Sequence, residues 1–102
     1  MLLSKVSDDP ITLQVNTHAI SLNNARELKE ELMQYLPHSN TQLVLDFEKV
    51  FLLDSSALGA LISVQKELAQ SGSELIIRNA SKSIKEMLHN VRLNEFVTIQ
   101  DD

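Results

Sequence analysis

Two continuous apolar runs of strand length, separated by a longer stretch with helical spacing, restrict the folds open to this sequence. Residues 43–45 and 75–77 contain only Leu, Val and Ile, which is typical of strands covered on both faces of a sheet. Between them, residues 55–70 carry apolar side chains at helical spacing, and Gly72 follows as a C-terminal stop. The pattern predicts a strand over 41–47, a helix over 55–70 and a second strand at 75–77.

Weaker patterns extend this alternation toward the N-terminus. Residues 11–15 alternate apolar and polar side chains, which predicts a strand with one buried face. Residues 2–6 are its predicted hairpin partner. A helix is predicted over 23–36, because Asn24 and Glu27 have the spacing of a capping box and apolar residues follow at helical intervals. Residues 37–40, beginning with a proline, are expected to end that helix in a turn.

Toward the C-terminus, a third helix and a last strand complete the series. Ser81 or Ser83 caps the predicted helix, and Ser83 with Glu86 matches a capping box. Residues 96–99 are the last predicted strand. The order β-β-α-β-α-β-α-β predicts an α/β fold, with a mixed sheet of about four to five strands and helices packed on it, in a single compact domain over residues 1–102.

Composition excludes several classes of function. The chain has no cysteine, so disulfides, thiolate nucleophiles and cysteine-bound metals are ruled out. Its net charge of −5 disfavours a surface that follows nucleic-acid phosphates. No stretch approaches the roughly 20 apolar residues of a membrane span. We therefore expect a cytoplasmic protein without nucleic-acid or membrane partners.

A serine pair, Ser55 and Ser56, is predicted where a loop becomes the second helix. A helix start exposes unpaired N–H groups and the positive end of the helix dipole, so a phosphate placed there is stabilised. Serines at helix starts are also among the commonest N-caps. Taken alone, the pair favours the interpretation as a helix cap over that as a phosphorylation site. The surrounding sequence has to decide between the two.

That context resembles the signature of STAS domains, the family of bacterial anti-sigma factor antagonists and of the cytoplasmic tails of sulfate transporters. The family pattern is an apolar strand ending in Asp, an aromatic residue, one or two apolar residues, Asp-Ser-Ser or Asp-Ser-Thr, and then small-Leu-Gly. In this sequence the matching residues are Asp46, Phe51, Asp54, Ser55, Ser56, Leu58 and Gly59. The resemblance continues through Gly72 to Leu93 and covers most of the chain.

The resemblance implies a phosphorylation switch. In the family, the serine directly after the Asp is phosphorylated by a partner kinase that is itself the anti-sigma factor. By that match Ser55 is the acceptor and Ser56 the alternate, and Asp54 orients the hydroxyl or contacts the kinase. The implied partner-binding residues are Asp54, Ser56, Leu53, Leu58, His18 and Thr17.

The implied partners are an anti-sigma factor of the histidine-kinase-like ATPase type, acting as a serine-protein kinase, and a metal-dependent serine phosphatase. The unphosphorylated chain would sequester the anti-sigma factor.

The sequence departs from the family pattern in three places, which bear on the identity of the partner: residues 16–21 replace the usual Gly-x-Leu/Ile-Asp segment, Ala57 replaces a common Gly, and the sequence ends at Asp102 before the C-terminal helix of many members. The alternative reading is a constitutive STAS subunit of a larger assembly, such as a lipid-transport ATPase complex.

Enzymatic and metal-binding readings lack supporting residues. His18, His38 and His89 have no metal-ligand spacing, so no metal site or cofactor is predicted. No phosphate-binding glycine loop occurs, and the serine pair has only Asp54 as a sequence neighbour, without a base or an oxyanion site. The serines are therefore interpreted as a substrate for a kinase, and the chain as a protein without enzymatic activity.

Overall fold

The strands and helices follow the predicted alternation, with two further short strands. The computed structural model describes residues 1–36 and 41–100. Its elements in chain order are β1 (Leu3–Asp8), β2 (Ile11–Val15), β3 (Ala19–Ile20), α1 (Ala25–Met33), β4 (Gln42–Asp46), β5 (Leu52–Leu53), α2 (Ser55–Gln70), β6 (Glu74–Arg78), α3 (Lys82–Asn90), a 3₁₀ turn (Leu93–Glu95) and β7 (Thr98–Ile99).

Five strands form one mixed sheet in the order β1-β2-β4-β6-β7. β1 and β2 form the predicted antiparallel hairpin, whereas β2, β4, β6 and β7 are paired in parallel. Parallel neighbours need a crossover connection, and α1, α2 and α3 lie in the three crossovers. The prediction of an α/β fold with a mixed sheet of four to five strands is confirmed.

The core is aliphatic apart from Phe47, which is fully buried. Leu43 and Leu45 of β4 lie opposite Leu75 and Ile77 of β6, and all four are buried. Helix α2 buries the predicted apolar stripe, which consists of Ala57, Leu61, Val64 and Leu68. Each fully buried side chain of leucine size stabilises the fold by about 1.5–3 kcal/mol relative to exposure. The well-packed unit β4-α2-β6 therefore holds the first turn of α2 in a fixed position.

Helix α1 is shorter than predicted and its cap differs. It spans Ala25–Met33, and Asn24 at the N-cap makes no side-chain capping bond. The Asn24 carboxamide instead accepts a hydrogen bond from the Ser21 N–H (2.8 Å) and donates one to the Ala19 carbonyl (2.9 Å). The predicted capping box is wrong, because the side chain folds back onto the preceding turn. The predicted turn at 37–40 lies outside the described residues.

The other helix ends agree with local sequence signals. Helix α2 has the predicted bounds, and Gly72 follows it with a φ of 75°, a left-handed conformation that glycine adopts without a steric cost. Ser81 caps α3 by accepting a bond from the Ile84 N–H (3.2 Å), so the choice between two serines is settled and Ser83 lies inside the helix. Within residues 1–36 and 41–100, no helix has the length and hydrophobicity of a membrane span.

Both outer strands of the sheet are irregular or short. The pairing of β1 with β2 shifts register between Lys5 and Ser7, so Val6 lies in a bulge, and its side chain is exposed. On the opposite side, β7 has only two residues. The regular pairing of the sheet is thus concentrated in its centre.

Gly59 lies in the interior of α2 and is exposed to solvent. A Cβ atom placed on it would meet no atom within 4 Å. Glycine in a helix interior is less favourable than alanine, so we expect Gly59→Ala to raise the free energy of unfolding by about 0.5–1 kcal/mol. Urea denaturation followed by circular dichroism measures this change.

The matched control is Gly72→Ala, at the left-handed position after the same helix. An alanine side chain is strained there, and we expect a loss of about 1 kcal/mol. Equal effects of the two substitutions would contradict this description of α2.

Candidate functional site

Ser55 is the first residue of α2, and its side chain is exposed, whereas Ser56 is half-buried. Asp54 is the N-cap: its Oδ1 accepts a hydrogen bond from the Ala57 N–H (3.1 Å). The interpretation of the serine pair as the cap is therefore wrong. Among the residues that the structure describes, the Ser55 hydroxyl has no hydrogen-bond partner, so this hydroxyl is available for modification without loss of a structural bond.

The first turn of α2 leaves backbone donors for an anion. The Ala57 N–H is bound to the Asp54 carboxylate, and the Leu58 N–H to the Asp54 carbonyl (3.2 Å). The N–H groups of Ser55 and Ser56 precede these and are the ones that helix geometry leaves for solvent or a ligand. Together with the positive end of the helix dipole, they favour a negative group attached to Ser55.

Two short strands hold a second segment of the chain beside the start of α2. β3 and β5 pair in parallel, with Ala19 opposite Leu52. The carbonyl of His18 accepts hydrogen bonds from the N–H groups of Phe51 (2.8 Å) and Leu52 (3.1 Å). Neither strand was predicted, because two residues are too few to show a periodic pattern. The diverged segment 16–21 is thus part of the site in space.

Asp54 joins this segment to the helix through both of its carboxylate oxygens. Oδ1 caps α2, and Oδ2 accepts a hydrogen bond from the Leu22 N–H (2.9 Å). The Asp54 N–H donates in turn to the Ile20 carbonyl (3.2 Å). The charge of Asp54 is therefore satisfied by two backbone donors from elements that are distant in sequence.

This double role predicts a larger stability effect than that of an ordinary cap. Asp54→Ala removes a cap and a second charge-assisted hydrogen bond, so we expect a loss of about 2 kcal/mol. Ser81→Ala removes only the cap of α3 and is expected to cost about 1 kcal/mol. Chemical denaturation of both variants measures the difference, and equal losses would contradict a separate contribution from the Leu22 contact.

Exposed apolar side chains lie on the segments that meet at the start of α2. Leu22 is 79% exposed, Phe51 55% and Leu52 64%, and the ring of Phe51 packs against that of His18 at 5.6 Å between centroids. Leu22, Phe51 and Leu52 are called the apolar patch below. Clusters of exposed apolar side chains with a polar border are typical of protein-interaction sites.

The residues that were predicted to contact a partner lie near the start of α2, but their side chains differ in exposure. Leu53 is only 7% exposed and packs in the core, which corrects its assignment as a partner contact: Leu52 is the exposed leucine of the pair. Leu58 is half-buried against the core. Thr17 donates its hydroxyl to the carbonyl of Ala19 (3.1 Å), the residue that pairs with Leu52. His18 Nδ1 lies 3.0 Å from the Lys49 carbonyl, and the ring contact of His18 with Phe51 places it at the border of the apolar patch.

Leu22 was missed by the sequence reasoning. It is an isolated apolar residue between Ser21 and Asn23, which was a usable signal, because a lone leucine in a polar turn has no core to join. Phe51 was identified only as part of a motif.

Histidines and carboxylates do not assemble into a metal centre in the described residues, where no group of three or more potential ligands is found. His89 lies on α3, with Nδ1 2.8 Å from the Lys85 carbonyl. The chemistry that the site does offer is an exposed hydroxyl, a positively polarised helix start and an apolar surface.

Comparison with known proteins gives one family and several related folds. The STAS domain model matches residues 3–102. An anti-sigma factor antagonist from Mycobacterium paratuberculosis is 19% identical, with a TM-score of 0.77 over 98% of this chain and 85% of that chain. The unphosphorylated form of the anti-sigma factor antagonist SpoIIAA is 14% identical, with a TM-score of 0.68 over 98% and 86% of the two chains.

The phosphorylated form of SpoIIAA, a Bacillus cell fate determinant, is 16% identical, with a TM-score of 0.63 over 98% of this chain and 90% of that chain. At these identities the likeness establishes the fold.

Proposed function

The chain belongs to the STAS domain family, and we propose that it is an anti-sigma factor antagonist whose binding to its partner is ended by phosphorylation of Ser55. The observation that carries this proposal is the exposed, unbonded hydroxyl of Ser55 at the start of α2, next to the apolar patch. The antagonist role is named for relatives with the same fold, and the site geometry supports its extension to this chain.

In the unphosphorylated form, the partner would cover the apolar patch and the serine hydroxyl together. A phosphoryl group adds about −1.5 to −2 charge at pH 7, beside the existing charge of Asp54. The free N–H groups of Ser55 and Ser56 stabilise this group on the free protein. A bound partner would have to remove the water that hydrates the phosphoryl group, and this desolvation costs far more free energy than burying a neutral hydroxyl. Phosphorylation therefore favours the free chain.

Exposure favours Ser55 over Ser56 as the acceptor. A kinase has to place the hydroxyl in its own active site, and Ser55 is exposed while Ser56 is half-buried. Ser56 lies one residue further into the helix, where it supports the partner contact. The proposal thus assigns the two serines different roles.

The proposed partner is an anti-sigma factor that is also a serine-protein kinase of the histidine-kinase-like ATPase type, with a metal-dependent serine phosphatase reversing the modification in the cytoplasm. Because partner and kinase are the same protein, the encounter that sequesters the anti-sigma factor also exposes Ser55 to phosphorylation. In this scheme the chain is a substrate and a binding protein.

Phosphorylation-site mapping tests the proposal. The full chain is incubated with ATP and the kinase that co-purifies with it, and intact mass and peptide mapping locate the modification. We expect one phosphoryl group on Ser55, and none in Ser55→Ala.

Ser83→Ala is the matched control, since Ser83 is also an exposed serine in a first helical turn, and it should be modified like the wild type. Modification confined to other residues would refute the switch. A stable complex with a transporter ATPase and no phosphoserine would instead support the constitutive-subunit alternative.

A further inference from the structure

We propose that Asp54 is a positioning residue that holds Leu22 on the docking surface, and that a negative charge on Ser55 weakens this hold. The inference rests on the proposed function, to which it adds a change in the shape of the surface. Phosphorylation would then act by loosening an apolar contact as well as by adding charge.

The contact is specific. Asp54 Oδ2 accepts the Leu22 N–H at 2.9 Å, while Oδ1 accepts the Ala57 N–H at 3.1 Å. One carboxylate therefore joins the turn that carries Leu22 to the first turn of α2. Because the side chain of Leu22 is 79% exposed, packing does little to hold it, and the backbone bond has a correspondingly large share in its position.

The turn is otherwise bonded to itself and to its own neighbours. The Ser21 N–H donates to the Asn24 side chain (2.8 Å), and the N–H groups of Asn24 and Ala25 donate to the Ser21 carbonyl (3.0 and 2.8 Å). These bonds preserve the shape of the turn, and the bond from the Asp54 N–H to the Ile20 carbonyl (3.2 Å) anchors the residues before it beside α2. The bond from Leu22 to Asp54 is the one that holds the Leu22 backbone itself against the start of α2.

A charge on Ser55 acts directly on this bond. Ser55 follows Asp54 in the chain, so a phosphate or an introduced carboxylate lies close to the Asp54 carboxylate and repels it. The new anion also interacts favourably with the positive helix start that Asp54 now occupies. Both effects favour a displaced Asp54 carboxylate. When the Asp54 carboxylate is displaced, the new anion on Ser55 can replace its capping oxygen at the helix start. Among the described residues, the Leu22 N–H has no acceptor other than Asp54.

Amide hydrogen exchange measured by NMR on the full chain, without partner, tests the inference. Asp54→Ser should keep the cap, since Ser81 caps α3 with a hydroxyl, but a hydroxyl is too short to reach Leu22 as well. We expect exchange of the Leu22 amide to become roughly tenfold faster or more, with a smaller loss in the free energy of unfolding than Asp54→Ala causes, because the cap is kept. Ser55→Asp should accelerate it in the same direction.

Two controls separate this effect from general loosening. The Phe51 N–H, bonded to the His18 carbonyl at 2.8 Å, lies in the same site without touching Asp54, and its exchange should be unchanged. Ser83→Asp places the same charge in the first turn of α3 and should leave Leu22 unaffected.

Unchanged Leu22 exchange in Ser55→Asp, or equal acceleration of Leu22 and Phe51, would overturn the inference. Since no kinase or partner is present in these measurements, their failure leaves the proposed function standing. The absence of phosphorylation in the mapping experiment would refute that function without altering the exchange result.

Discussion

Ser55→Asp is expected to weaken binding of the proposed anti-sigma partner by about a hundredfold or more, equivalent to roughly 3 kcal/mol. The introduced carboxylate lies next to Asp54 at the start of α2, where the partner would have to bury it without a matching cation. Isothermal titration calorimetry or surface plasmon resonance with the purified partner measures the loss, which should appear mainly as faster dissociation.

Two variants control this result. Ser55→Ala removes the modifiable hydroxyl without adding charge and should bind within a few-fold of wild type. Ser83→Asp adds the same charge to an exposed first-turn position of α3 and should bind normally. Comparable weakening by Ser55→Asp and Ser83→Asp would show that net charge, and not the position of Ser55, controls binding.

Leu52→Glu is expected to have a similarly large effect on the same interaction, again about a hundredfold in affinity. Leu52 is 64% exposed in the apolar patch, so the free chain tolerates a charge there, but a partner covering the patch would bury it unpaired. The free energy of unfolding should change by less than about 0.5 kcal/mol, as measured by chemical denaturation.

Val6→Glu is the matched control, because Val6 is 57% exposed and lies on β1. It should bind the partner as wild type does. If Leu52→Glu bound normally while Ser55→Asp did not, the apolar patch would have no part in docking and the partner contact would be limited to the helix start.

The sequence predicted the central part of the fold because its signals there are redundant. Helix α2 carries an apolar stripe and has Gly72 after it, and the two signals agree on where it lies. The strands beside it are continuous apolar runs that only a doubly covered sheet accommodates. The hairpin of β1 and β2 also followed from alternation.

Predictions failed where tertiary contacts decide the outcome. Asn24 has the sequence of a capping residue, but bonds to Ser21 and Ala19 compete for its side chain. In the pair Leu52 and Leu53, both residues are equally apolar, and only the pairing of β5 with β3 determines which one faces the core. No local pattern contains that information.

The candidate functional site, too, could be predicted from the sequence only in part. The Asp-Ser-Ser motif located the helix start correctly, although the structure shows that Asp54 and not the serine pair caps it. The neighbourhood of that start was not predictable, since the Leu22 N–H reaches it through a bond to the Asp54 carboxylate across 32 positions of sequence. Motifs record local chemistry, whereas the docking surface is assembled from segments that meet only after folding.

The irregular edge strands of the sheet affect how high the concentration of this protein can rise before it aggregates. In the proposed role the chain has to be abundant enough to capture its target, and concentrated chains with open strand edges tend to aggregate through those edges. The kink at Val6 on β1 and the two-residue length of β7 offer poor templates for such stacking. Both edge strands therefore disfavour self-association, so in the proposed role the apolar patch stays available to the binding partner.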